Sequence, residues 1–257
     1  MLAFVLVGTS HPQRRRADLL LVERGLAPSR ERARALIMAG QVFSGSARVD
    51  KGGVLLAIDA ELRVAAPDHP YVSRGGVKLA GALDAFALDP TGVIAADFGA
   101  STGGFTDCLL QRGAVRVYAI DVGRGQLHDK LRRDPRVIAM ERLNARHLHA
   151  GDLPELLDWV VIDASFIGLD KLLAPARALL RPGGLVLALV KPQFEVGKGR
   201  VGKGGVVRDE DARSDAIANV RRTAEQIGFE VRGQHDSVLA GPSGNRECFL
   251  WLRSPPA

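Results

Sequence analysis

The stretch Asp97-Phe98-Gly99-Ala100-Ser101-Thr102-Gly103-Gly104-Phe105 places one carboxylate and three glycines between two apolar segments. Glycines at such a point let backbone approach a ligand closely, and a following helix adds its N-terminus. Val93-Ile94-Ala95-Ala96 reads as a buried strand leading in, and Phe105 to Arg112 as the start of a helix leading out. A second strand, Val115 to Ile120, ends in Asp121, where a doubly wound sheet holds a ribose diol. This is the chemistry of a nucleoside-cofactor site. A dinucleotide requires Gly-x-Gly-x-x-Gly around its pyrophosphate. Here the order is Asp-x-Gly-x-x-x-Gly-Gly, and an acid at the head of the loop repels a pyrophosphate but suits the ammonium group of S-adenosylmethionine.

Four further polar residues sit where they could share that cleft. Lys78 lies in Ser73-Arg74-Gly75-Gly76-Val77-Lys78-Leu79, which opens a helix ahead of the first strand. Asp163 ends the apolar run Trp159 to Ile162, and Lys191 ends Leu187 to Val190. Glu247 precedes the last strand, in Gly244-Asn245-Arg246-Glu247-Cys248-Phe249. Ligands of an open α/β sheet bind at the carboxyl ends of its strands, so Asp163 and Lys191 are expected beside Asp97 and Asp121. Taken singly, a strand-end lysine is a solvated charge and an isolated aspartate a helix cap. Two lysines alternating with two acids around one loop favour a shared site.

The elements that must position these residues alternate. Strands are expected near 93–96, 115–120, 137–140, 158–162 and 185–190, with a closing pair near 229–239 and 247–252. The chain of 257 residues is long enough for one such α/β domain and a small module besides. An apolar content of 46% excludes a disordered chain. The net charge of +6 favours an anionic partner, nucleic acid first. The two cysteines, Cys108 and Cys248, form neither a disulfide framework nor a metal-ligand spacing, so the cytoplasm is the expected compartment. Met1 to Gly8 is apolar but too short to span a bilayer and lacks a basic flank. Residues 1–13 are accordingly read as an N-terminal extension.

Residues 14–64 have a different character. Arg16 to Arg24 reads as a short helix closed by Gly25. Ser29 is placed to cap a second helix running through Ala39, with Gly40 in the C-terminal position. Val42-Phe43 and Leu55 to Ile58 read as short strands joined by a polar turn. Between residues 14 and 40 there are seven arginines and three acids. Arg30 and Arg34 share an outer stripe, either a solvated helix face or a surface for phosphates. Residues 65–74 form a linker containing Pro67 and Pro70, and residues 75–257 form the larger domain.

Arg16-Ala17-Asp18-Leu19 through Leu26, Ser29 to Ala33 and Leu36 to Val42 resemble the α-L RNA-binding motif. That module also occurs in a small-subunit ribosomal protein, in pseudouridine synthases and in tyrosyl-tRNA synthetases. The set Lys78, Asp163, Lys191 and Glu247 resembles the Lys-Asp-Lys-Glu tetrad of the FtsJ-like ribose 2′-O-methyltransferases. More closely, the chain resembles the TlyA (hemolysin A) family of rRNA 2′-O-methyltransferases. The segments that carry the likeness are Val72 to Leu79, Asp97 to Phe105, Asp134 to Val137, Lys191 to Gly199 and Gly241 to Asn245.

The resemblance implies a Rossmann-like α/β methyltransferase sheet preceded by a small α+β RNA-binding domain. It implies that Lys78, Asp163, Lys191 and Glu247 are catalytic. S-adenosylmethionine is expected at Asp97, Gly99, Ala100, Ser101, Thr102, Gly103, Gly104, Phe105 and Asp121, with Glu141, Arg142 and Asn144 beside the adenine. RNA is expected at Arg14, Arg15, Arg16, Arg30, Arg34, Arg74, Lys198 and Arg200. Ribosomal RNA or a ribosomal subunit is then the partner, with cytidine the nucleotide and neither a membrane nor an obligate protein partner required. A ribose hydroxyl must lose its proton as it attacks, and a lysine near pKa 10.4 is almost wholly charged at neutral pH. A neighbouring cation and a dry pocket release that proton more readily. Lys191 is thus the expected base or hydroxyl orienter and Lys78 the tuning cation, with Asp163 and Glu247 holding the amines.

Other chemistries lack their residues. Exocyclic-amine methylation uses an Asn/Asp-Pro-Pro-aromatic turn, and here the turn is Asp163-Ala164-Ser165-Phe166. Carbon-5 methylation of cytosine needs a nucleophilic cysteine, and neither Cys108 nor Cys248 is well placed. Gly197 to Lys203 has phosphate-loop spacing, but Gly204 stands where Ser or Thr binds Mg²⁺. A non-catalytic ribosome-assembly factor and a membrane-active hemolysin are the rival classes.

Overall fold

The computed structural model describes residues 13–65 and 69–256. The chain divides into two compact units at residue 66. The apolar Met1–Gly8 segment and residues 66–68 of the expected linker lie outside the described residues.

The first unit is α+β. It contains β1 (Arg14–Arg16), α1 (Ala17–Glu23), α2 (Arg30–Met38), β2 (Val42–Ser44), β3 (Ala47–Arg48), β4 (Leu55–Ala57) and β5 (Leu62–Val64). Ser29 Oγ accepts the Arg32 N–H (3.2 Å) and so caps α2, while Gly25 and Gly40 take positive φ after the two helices. Ala17, Leu21, Ala33, Ile37 and Val42 form its small core. Two expectations are corrected here. Arg16 ends a strand rather than opening a helix, because β1 pairs antiparallel with β4 (Arg16 opposite Leu55). The strands at 42–44 and 55–57 are not a hairpin: β2 lies between β3 and β5 in a separate sheet.

The second unit is a seven-stranded sheet flanked by helices. Its elements are α3 (Arg74–Ala85), β6 (Ile94–Phe98), α4 (Gly104–Gln111), β7 (Arg116–Asp121), α5 (Asp129–Arg132), β8 (Val137–Glu141), β9 (Leu157–Ile162), α6 (Leu173–Leu179), β10 (Leu180–Val190), α7 (Pro192–Glu195), α8 (Glu210–Ile227), β11 (Glu230–Asp236) and β12 (Cys248–Arg253). The strand order is β11-β12-β10-β9-β6-β7-β8, with β12 antiparallel to β10 and to β11. The five strands β6 to β10 are mutually parallel.

A parallel sheet covered on both faces demands nearly continuous apolar strands, and β10 meets that demand. Val186, Ala188 and Val190 enter one core, and Leu185, Leu187 and Leu189 the other. Each of these valine and leucine side chains withdrawn from water contributes about 1.5–3 kcal/mol. Among the described residues no helix is long and apolar enough to cross a membrane.

Candidate active site

The chain order of the strands reverses between β6 and β9, so the loops that follow them leave the sheet side by side. Phe98 is opposite both Ile120 and Ile162, and the Asp163 N–H donates to the Phe98 carbonyl (3.0 Å). Gly99 adopts φ +87, and a Cβ there would lie 2.9 Å from Ala164 Cα. The two loops therefore touch backbone to backbone, which only glycine allows. Gly104 serves the same end between helices: a Cβ on it would meet the Gly76 nitrogen at 2.9 Å, so α3 packs closely on α4 and brings Lys78 beside the loop.

Asp97 is buried beneath this loop. Its Oδ2 accepts the Thr106 N–H (3.0 Å) and the Thr106 hydroxyl (2.7 Å), while Oδ1 is buried with no donor. Burial pushes the carboxyl up to about 7, and the Asp163 and Asp121 carboxylates push it the same way. An orphaned acceptor amid three acids is a site made for a cation. S-adenosylmethionine, with its ammonium and sulfonium charges, fits it, and a pyrophosphate does not.

Asp121 closes the other side of the loop. Its Oδ2 accepts the Ser101 N–H (2.9 Å) and its Oδ1 the Gly123 N–H (2.6 Å), leaving further lone pairs for hydroxyl donors. Ala100, Ser101, Asp121, Gln126 and Glu141 line one small recess. Glu141 Oε1 is held by the Gly125 N–H (2.9 Å) and by Arg132 (2.8 Å). Arg142 is exposed at φ +58, and its N–H donates to the Gly123 carbonyl (3.1 Å). Asn144 Oδ1 accepts the Arg146 N–H (3.2 Å). Gly103 (φ +92) and Thr102 complete the turn into α4. The Phe105 ring, by contrast, is a core group 5.8 Å from the Phe249 ring, so only its backbone faces the loop chemistry.

The four residues of the expected tetrad form two ion pairs, Lys191 with Asp163 and Lys78 with Glu247. Lys191 Nζ lies 2.7 Å from Asp163 Oδ1, and it donates hydrogen bonds to Ser165 Oγ (2.9 Å) and to the Asp163 carbonyl (3.3 Å). Lys78 Nζ lies 2.5 Å from Glu247 Oε2, with both side chains buried. The antiparallel register of β12 explains the position of Glu247: Cys248 is opposite Val190, so Glu247 arrives where Lys191 leaves. Asn245 steadies that approach, accepting the Val207 N–H (2.9 Å) and donating to the Gly205 carbonyl (2.9 Å). Asp163 thus stands against Lys191 and Glu247 against Lys78.

Two neighbours escaped the sequence reading. Ser165 binds Lys191, and Phe166 follows it at φ +67 with 91% of its surface exposed and its ring 5.3 Å from that of Phe194. The available signal was an aromatic residue in the turn directly after a strand-end acid. Burial pushes the thiols of Cys108 and Cys248 up to about 12, which rules both out as nucleophiles at neutral pH.

The expected RNA-binding residues fall in both units, and three of them share one carboxylate. Arg15 pairs with Glu23 (2.5 Å), and Arg16, Arg30 and Arg34 converge on Asp18. Arg14 is exposed on β1. Arg74 donates to the Ala240 carbonyl (3.1 Å), and Arg200 lies 2.6 Å from Asp215 and 3.7 Å from Asp209. The Lys198 side chain lies outside the described residues.

A mixed sheet with a parallel core, whose switch point holds a glycine loop beside carboxylates, belongs to a Rossmann-like methyltransferase that uses S-adenosylmethionine. Residues 71–254 match the FtsJ-like methyltransferase family and residues 15–61 match the S4 domain; the chain belongs to the FtsJ-like methyltransferase family. It is 47% identical over 243 residues to the 16S/23S rRNA (cytidine-2′-O)-methyltransferase TlyA of Mycobacterium tuberculosis, covering 94% of this chain and 91% of that protein. It is 34% identical over 182 residues to the 23S rRNA (cytidine-2′-O)-methyltransferase TlyA of Campylobacter jejuni, covering 70% of each. A solved structure from Streptococcus thermophilus, described as a candidate hemolysin, superposes with a TM-score of 0.73 at 41% identity, covering 96% of this chain and 91% of that one.

Proposed function

We propose that this protein transfers a methyl group from S-adenosylmethionine to the ribose 2′-hydroxyl of a cytidine in ribosomal RNA, in the cytoplasm. The observation that carries the reading is the buried amine of Lys191, fixed by Asp163 and Ser165 within the same edge as the orphaned Asp97 carboxylate. The names of the relatives supply the substrate class.

S-adenosylmethionine, when bound, supplies an electrophilic methyl on a sulfonium. Asp97 faces its ammonium and Asp121 its ribose. The methyl that bound S-adenosylmethionine would supply goes to the 2′-oxygen of the RNA, and the hydroxyl proton leaves for solvent by way of the Lys191 amine. Asp163 and Ser165 fix that amine within reach of the hydroxyl. Lys78 and Glu247 form the second pair that walls the pocket. Phe166 offers an open aromatic face to the nucleobase, a contact that suits any extruded base. The S4 domain holds the RNA through Arg14, Arg15, Arg16, Arg30 and Arg34, and Arg74, Lys198 and Arg200 of the second unit are further RNA contacts.

The test is transfer of labelled methyl to purified, unmodified ribosomal subunits, followed by nucleoside mass spectrometry. The expected product is 2′-O-methylcytidine. A base-methylated nucleoside would keep the cofactor site and overturn the proposed acceptor.

A further inference from the structure

We infer that Asp18 is a positioning residue that assembles Arg16, Arg30 and Arg34 into a preformed site for a backbone phosphate of the RNA. The inference rests on the proposed RNA substrate and deepens it. The Asp18 carboxylate is sealed from solvent, with a side-chain exposure of 0%, whereas the three arginines remain 38%, 43% and 51% exposed. Arg16 donates from Nε and Nη2 (both 2.9 Å) to its two oxygens. Arg30 and Arg34 each donate from Nε alone, both at 3.0 Å to Oδ2. The Nη groups of Arg30 and Arg34 donate no hydrogen bond among the described residues, and Glu31 is within electrostatic reach of both arginines. One buried anion thus aligns three guanidiniums, with a net charge of +2, and leaves their outer forks for a ligand.

The cluster is built into the fold rather than scattered on it. Arg16 comes from β1, Asp18 from α1, and Arg30 and Arg34 from successive turns of α2. The Asp18 N–H donates to the Gly52 carbonyl (3.1 Å), which seats the Gly52-Gly53 turn against the cluster. A Cβ at Gly52 would come within 3.2 Å of Arg34 Cγ and 3.3 Å of Asp18 Cβ. The guanidiniums, Arg16 first, hold the Asp18 carboxyl well below the usual carboxylate range, so it stays charged throughout the physiological range. Two further arginines of this unit have partners outside the cluster: Arg24 donates to the Ala60 and Ile58 carbonyls, and Arg15 pairs with Glu23.

The geometry makes a prediction opposite in sign to that of simple charge. On a diffuse basic surface, removing an acid strengthens RNA binding. In a preformed site the carboxylate supplies the alignment, and its loss leaves three mobile side chains that must be ordered again on binding. The forks also matter, because lysine lacks the two-pronged geometry that matches phosphate.

The experiment measures binding of the full chain to protein-free 16S and 23S rRNA transcripts across a salt series. Asp18→Asn is expected to bind about tenfold more weakly than wild type despite its added positive charge, with a salt dependence shallower by about one phosphate contact. Arg30→Lys, which conserves charge and leaves Asp18 with two partners, is expected to lose affinity several-fold. It carries the test if Asp18→Asn fails to fold, as judged by circular dichroism. Equal or tighter binding by folded Asp18→Asn, or wild-type binding by Arg30→Lys, overturns the inference. Methyl transfer by the wild-type protein is read separately: rRNA bound without transfer sinks the proposed reaction, and unchanged binding by the variants sinks the positioning role of Asp18.

Discussion

Lys78 Nζ and Glu247 Oε2 lie 2.5 Å apart although 169 residues separate them in sequence. Their side chains are 8% and 1% exposed, so neither charge can turn to water if its partner is removed. An uncompensated buried charge costs about 3–5 kcal/mol, far more than an exposed pair contributes. Lys78→Met is therefore expected to lower unfolding stability by about 3 kcal/mol. The double variant Lys78→Met/Glu247→Gln should recover about 1–2 kcal/mol of the summed losses. Urea denaturation of the three variants checks this, and strict additivity would contradict the pairing.

The Asp97 carboxyl gives a pH dependence with a definite sign. Its ordinary value is about 4, and burial raises it to about 7 in the folded protein. Between those values the folded state keeps a proton that the unfolded chain has released. Stability of the cofactor-free protein therefore falls as pH rises through this window, by up to about 4 kcal/mol. A cationic ligand prefers the ionised form, so S-adenosylmethionine should bind about tenfold more tightly at pH 8 than at pH 6. Calorimetric titration at the two pH values reads this directly. Asp97→Asn should bind weakly at both and melt higher than wild type at pH 8.

Phe166 sets stability against function. A bulky residue at φ +67 stores about 1–2 kcal/mol of backbone strain, and an open ring contributes little burial in return. Phe166→Gly is expected to raise the melting temperature while increasing KM for the RNA several-fold. Thermal melts and steady-state kinetics on ribosomal subunits provide the two readings. A higher melting temperature with unchanged KM would leave the ring without a role in substrate binding.

Much of the larger unit was legible because burial on both faces writes itself into composition. β9 and β10 carry the apolar runs Trp159 to Ile162 and Leu185 to Val190, each followed directly by a polar residue of the candidate site, Asp163 or Lys191. The glycine loop was equally plain, since Gly99 and Gly104 answer to close backbone approach. Which lysine pairs with which acid was not legible, because it follows from the register of β12 on β10, a relationship with no local signature. β1 has no local signature for a similar reason: Arg16 reads as the first residue of a helix until Leu55 to Ala57 is known to pair with Arg14 to Arg16. The role of Asp18 has no local signature, because its three partners come from positions 16, 30 and 34.

The most direct test of the account is single-turnover methyl transfer by Lys191→Ala on unmodified ribosomal subunits, with cofactor affinity measured on the same preparation. The account predicts at least a hundredfold slower transfer, since general acid–base groups contribute about 10²–10⁴ in rate, with cofactor and RNA binding close to wild type. Transfer at the wild-type rate by a variant that binds both would contradict the assignment of Lys191 as the group that takes the hydroxyl proton.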